Sequence, residues 1–146
     1  MQLPASQIAV PSCYRQCCCT NCQSKNPFVV WGDGSAIRDF IFAEDCAKGI
    51  LKVFEKNPQE PVNLGSGTGI SIKELVETLS DLMPQKLNVS WDVTKPAGDR
   101  IRILDTTRAK SLGFETTTAL REGLQKTVAW YKEKNNSAGY RYNVFN

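Results

Sequence analysis

The cations most suited to chemistry stand in turns rather than along helices. Arg38 follows the turn Gly32-Asp33-Gly34, while Lys95, Arg100 and Arg102 surround the turn Pro96-Ala97-Gly98-Asp99. A guanidinium presents a planar fork that matches phosphate oxygens, and an ammonium adds a compact charge, so two such loops near strand ends would suit a diphosphate. Solvated surface charge is the plainer account of the same residues. Trp31, beside Gly32, is placed either to stack on a base or sugar or to pack in a core. Asp39 reads as a partner or orienter of its neighbour Arg38.

Other chemistry is less well supported by the spacing. Gly65-Ser66-Gly67-Thr68-Gly69 lies between an extended run and a helical one, as a dinucleotide-binding turn does, but Ile70 occupies the place of the third fingerprint glycine. A plain tight turn is the better reading, with backbone N–H groups left over for a ligand edge. Five of the six cysteines (Cys13, Cys17, Cys18, Cys19, Cys22) crowd the first 25 residues and include one C-x-x-C pair. Zinc sites of strong signature use two separated pairs, so a metal or redox role is the weakest of the functions considered, and no residue is assigned to a metal. Histidine is absent, which removes the side chain that most often shuttles protons near neutral pH.

The elements that must position these residues begin after the cysteine-rich stretch. Residues 1–26 lack periodicity and are expected to be poorly ordered; residues 27–146 form the regular part. There the pattern predicts a strand at 28–31, an extended piece at 38–42 and a helix at 44–56. In that helix Cys46, Ala47, Ile50, Val53 and Phe54 share a face, and Cys46 reads as a packed thiol. A short strand is expected at 61–64. Ser71 and Glu74 have the spacing of a capping box ahead of a helix striped by Ile72, Leu75, Val76, Leu79 and Leu82. A strand at 87–92, an extended piece around 101–104 and a short helix at 107–112 closed by Gly113 follow. Thr118 would cap a last helix at 119–134 bearing Leu120, Leu124, Val128 and Tyr131. Alternating strands and helices predict an α/β fold, here an α+β lobe with few and short strands.

Composition bounds the function. A hydrophobic share of 41% against 23% charged, in 146 residues, fits one globular domain. A net charge of +3 without long like-charge runs suits a local anion site better than nucleic acid. No stretch nears the roughly 20 apolar residues that span a bilayer, and no secretory signal opens the chain, so a cytoplasmic protein without membrane contact is expected.

Four blocks in order carry a family resemblance: 30–40 (VWGDGSAIRDF), 42–47 (FAEDCA), 61–67 (PVNLGSG) with 72–75 (IKEL), and 94–105 (TKPAGDRIRILD). The stretch from about 27 to 133 resembles the C-terminal part of the extended short-chain dehydrogenase/reductases, the NAD-dependent epimerase/dehydratase family, and within it the GDP-L-fucose synthase branch. The resemblance implies a substrate-binding lobe for a nucleotide sugar, with the Rossmann half largely missing. Arg38 would meet the diphosphate, Trp31 would line the pocket, and Lys95 and Arg100 would lie near the nucleotide or sugar. The family's reaction uses NADP or NAD and a Tyr-x-x-x-Lys pair; no tyrosine of this chain has a lysine four residues on. No catalytic or cofactor-binding residue is therefore assigned, and the chain alone is expected to be inactive. In the branch, the reaction is 3,5-epimerisation and reduction of a GDP-4-keto-6-deoxyhexose. Two positions depart from the pattern: Phe42 replaces a histidine of the usual His-Val-Asp-Asp, and Ala97 replaces an acid. The readings left open are another nucleotide-sugar epimerase or dehydratase, a free-standing nucleotide-sugar or partner-binding module, and a partnership with a separate Rossmann-half chain or a second copy.

Overall fold

The computed structural model describes residues 27–136. The cysteine-rich segment, and with it the zinc alternative, lies outside these residues. In chain order the elements are β1 (Phe28–Trp31), β2 (Ile37–Asp39), α1 (Ala43–Lys56), β3 (Gly69–Ser71), α2 (Ile72–Asp81), β4 (Val89–Asp92), β5 (Ile101–Arg102), α3 (Thr107–Ser111) and α4 (Leu120–Asn136). They build two small sheets. In one, β1 runs parallel to β4 with Phe28 opposite Val89 and Trp31 opposite Asp92. In the other, β2 is central, antiparallel to β3 and parallel to β5, with Arg38 opposite both Ile70 and Arg102.

Helix α2 starts where the sequence says it must. Ser71 Oγ accepts from Glu74 N at 3.1 Å, and Glu74 Oε2 accepts from Ser71 N at 2.9 Å, a complete capping box. Two further helix-start donors are met by the turn between β1 and β2: Ile72 N reaches Ala36 O at 2.9 Å and Lys73 N reaches Gly34 O at 3.0 Å. Behind this start, Val76 and Leu79 are buried; Leu79 packs with Val128 of α4, flanked by Met83 and Tyr131.

Three Asp-x-Ser/Thr turns punctuate the chain. Asp33, Asp92 and Asp105 each accept from the backbone N–H and the hydroxyl two residues on, in Ser35, Thr94 and Thr107. The hydroxyl bond is the main cause that holds each of these carboxyls below its ordinary range.

Helix α1 is anchored differently. Its buried residues are Asp45 and Gly49, while Ile50, Leu51 and Phe54 are 57%, 63% and 82% exposed. Cys46 is half-buried rather than packed away. Asp45 Oδ2 accepts from Thr117 N at 2.9 Å and Thr118 N at 2.8 Å, and Oδ1 accepts from Thr117 Oγ at 3.0 Å. The donors just ahead of α4 are thus met from another helix. Burial pushes the Asp45 carboxyl up, but the bonds from Thr118 and Thr117 together outweigh it and hold the group below its ordinary range.

The strand expected at 61–64 does not form. Pro61 has no N–H to give a ladder and its carbonyl accepts from Arg108 Nη1 at 2.9 Å, while the Asn63 side chain ties the segment to Asp105 O at 3.2 Å. The extended piece at 38–42 is shorter than expected, since β2 ends at Asp39. Phe42 packs over α4, with Lys126 Nζ 5.5 Å from its ring centre. No described helix is long and apolar enough to cross a membrane.

Candidate functional site

The two basic loops singled out in the sequence meet. β1 delivers Trp31 and Gly32, and β4 delivers the turn that holds Lys95. Both hang on one acceptor, because Asp92 O takes Gly32 N at 2.8 Å and Lys95 N at 3.2 Å. Gly32 has φ +84°, and a Cβ there would come within 2.8 Å of Ala97 Cβ, so the glycine is what lets the loops touch.

β2 then brings Arg38 to the same place. Its Nη1 donates to Ile37 O at 2.7 Å, and its Nη2 is 3.4 Å from Ala97 O, a long contact that points the fork at the turn. The far end of the turn is tied back through its own backbone, with Ile37 N donating to Arg100 O at 2.9 Å. Arg38 is half-buried; Trp31, Lys95 and Arg100 are exposed. Four residues up to 69 positions apart in the chain therefore surround one turn.

Charge compensation differs within this group. Arg102 is 3.7 Å from Asp99, whereas no carboxylate among the described residues lies within ion-pair distance of Arg38. Elsewhere several described cations do have a carboxylate partner: Lys48 with Glu44 at 2.8 Å, Lys126 with Glu122 at 2.7 Å, and Arg108 with Glu60. A half-buried guanidinium without a counter-charge, in a loop cluster rich in cations, is an arrangement suited to an anion.

The glycine turn at 65–69 takes a different role from those considered for it. Asp39 does not pair with Arg38. Its carboxylate instead accepts Ser66 N at 2.9 Å and Gly67 N at 3.0 Å. These donors are therefore not offered to a pyrophosphate, and the described residues do not fit a dinucleotide at this turn. Sequence reasoning gave Asp39 to its neighbour Arg38 and missed Asp45, because a carboxylate that serves a distant backbone has no characteristic spacing. The only local hint was a short acid at a strand end or in a first helical turn.

Two open depressions on the described surface lie away from this cluster. One of about 550 Å³ is bordered by Lys48, Lys52, Lys110 and Phe114, and the other, of about 210 Å³, by Lys73, Ser80, Lys86 and Trp91. Among the described residues no group of three or more His, Cys, Asp or Glu is placed to hold a metal ion.

Comparison with known proteins gives a consistent result. Residues 16–65 match the model of the NAD dependent epimerase/dehydratase family. A putative GDP-L-fucose synthase 2 from Arabidopsis thaliana is 32% identical over 131 residues, covering 89% of this chain and 40% of that protein. The GDP-mannose 3,5-epimerase of the same plant is 35% identical over 112 residues, covering 76% of this chain and 29% of that protein. Among solved structures, a UDP-glucose 4-epimerase from Thermotoga maritima, crystallised with UDP-glucose, superposes with a TM-score of 0.67 at 31% identity, over 73% of this chain and 35% of that one. The chain spans less than half the length of each relative.

Proposed function

Over the residues shared with these relatives the chain belongs to the NAD-dependent epimerase/dehydratase family, and from that membership we propose that it is the substrate-binding part of a nucleotide-sugar epimerase/reductase. The observation that carries the reading is the convergence of Arg38 and the 95–100 turn, without an acidic partner for Arg38 among the described residues.

In this reading the diphosphate of a nucleotide sugar takes the place of the missing counter-charge. The Arg38 fork meets its oxygens, Lys95 and Arg100 add positive potential at the rim, and Trp31 offers a flat face to the sugar or base. The bound group supplies negative charge and hydroxyls; the chain supplies orientation. NADP or NAD belongs with residues of the intact enzyme other than those described, as do hydride and proton transfer. On its own the chain should bind without turnover, since binding that does not discriminate the transition state does not accelerate a reaction.

A GDP-sugar of the fucose-synthase kind is the first substrate class, supported by the relatives named for GDP-linked sugars. A UDP-sugar is the second, supported by the relative crystallised with UDP-glucose. Calorimetric titration with GDP-mannose and UDP-glucose decides between them. Arg38→Ala should weaken the preferred ligand about tenfold or more, as expected for losing a charge-assisted pair. Equal affinity in wild type and Arg38→Ala, or binding by neither, would sink the assignment.

A further inference from the structure

The Asp39 carboxylate sits inside the glycine-rich turn as an anion sits in a nest of backbone donors. Ser66 N and Ser66 Oγ donate to Oδ1 at 2.9 and 2.5 Å, and Gly67 N donates to Oδ2 at 3.0 Å. Leu104 N lies 3.4 Å from the same Oδ2. Gly65 makes the space, since a Cβ there would fall 2.7 Å from Oδ2.

One carboxylate thus joins three segments: the end of β2, the turn that leads into β3, and the stretch that follows β5. These are the three strands of the sheet whose central member carries Arg38. Neighbouring strand residues point to opposite faces, so Asp39 can grip the turn on one side while Arg38 extends to Ala97 on the other. Arg38 has only a long contact at its tip, and its aim depends on where β2 is held.

We infer that Asp39 is a positioning residue for the anion site: by filling the nest at Ser66 and Gly67 it fixes β2 and keeps the Arg38 guanidinium at the 95–100 turn, without touching the ligand. The inference rests on the proposed reading of Arg38. Asp39→Gly on the full chain empties the nest and leaves room for a small carboxylate. The chain is titrated with GDP-mannose and UDP-glucose in formate and in chloride of equal ionic strength.

In chloride, Asp39→Gly should bind about tenfold more weakly than wild type, and formate should restore most of that loss. Arg38→Ala should gain nothing from formate. Wild-type affinity in chloride, or a loss that formate leaves unchanged, overturns the inference. If Asp39→Gly does not fold, Asp39→Asn, which keeps one acceptor oxygen, replaces it. A loss of about threefold is then expected, and no loss overturns the inference. If wild type binds neither sugar, the proposed function fails, and the clamp is judged by amide hydrogen exchange alone. Exchange at Gly67 and Ile37 that quickens in Asp39→Gly and slows again in formate upholds it; unchanged exchange overturns it.

Discussion

Helix α2 buries Val76 and Leu79, the latter against Val128 of α4, whereas α1, with an apolar stripe of the same period, leaves Ile50, Leu51 and Phe54 in water. The two helices also attach by different means. α2 is seated by apolar contact and a local capping box, α1 by a buried carboxylate that reaches across to Thr117 and Thr118. A helical period thus states that a face is apolar. Whether that face finds a partner within the described residues is a separate matter, set by which elements pack beside it.

The contrast is broken most directly at Leu79. Leu79→Ala removes buried methyl groups at the α2–α4 contact and should cost about 2–5 kcal/mol, since the surrounding helices can only partly close the gap. Chemical denaturation measures it. A loss below about 0.5 kcal/mol, the size of an ordinary surface change, would mean that α2 is not held by this contact.

Asp45 should come next. Asp45→Ala leaves three donors at Thr117 and Thr118 without their acceptor, each worth roughly 1–3 kcal/mol if it stays dry, so a net loss of about 2–4 kcal/mol is expected. The pH dependence gives a sharper reading. The folded carboxyl lies below its ordinary value of 3.8, so its contribution is fully present above that value and is lost as pH falls through the lower folded pKa. Asp45→Asn should therefore lose less stability than wild type as pH falls below about 4. Acid unfolding curves that stay parallel over this range would show that Asp45 is not the anchor.

Ser71→Ala removes half of the capping box and should cost about 1 kcal/mol, with little change in the denaturant slope. This element was fully legible in the sequence, as was β1, because both rest on local rules: spacing of cap residues and a short apolar run between turn residues. The meeting of Arg38 with the 95–100 turn was legible only as two loops of like charge, since nothing local says that Asp92 O serves both Gly32 and Lys95. The strand expected at 61–64 failed for a related reason. Its residues have the strand pattern, but Arg108, 47 positions away, takes the Pro61 carbonyl that a ladder would use. Asp39 and Asp45 belong to the same class of long-range side chain to backbone bonds, which sequence spacing does not record.

The smallest effect should fall on the other side of the comparison, at Phe54. Its ring is 82% exposed, so replacing it removes almost no buried area. Phe54→Lys should change unfolding free energy by less than about 0.5 kcal/mol, the usual range for surface substitutions. It should also reduce association at high concentration, because Phe54 lies with Ile50 and Leu51 in an exposed apolar face of α1. Sedimentation and denaturation on the same samples separate the two effects. A loss of 2 kcal/mol or more, about that of a core truncation, would place Phe54 in the folded chain's own core and erase the difference between α1 and α2.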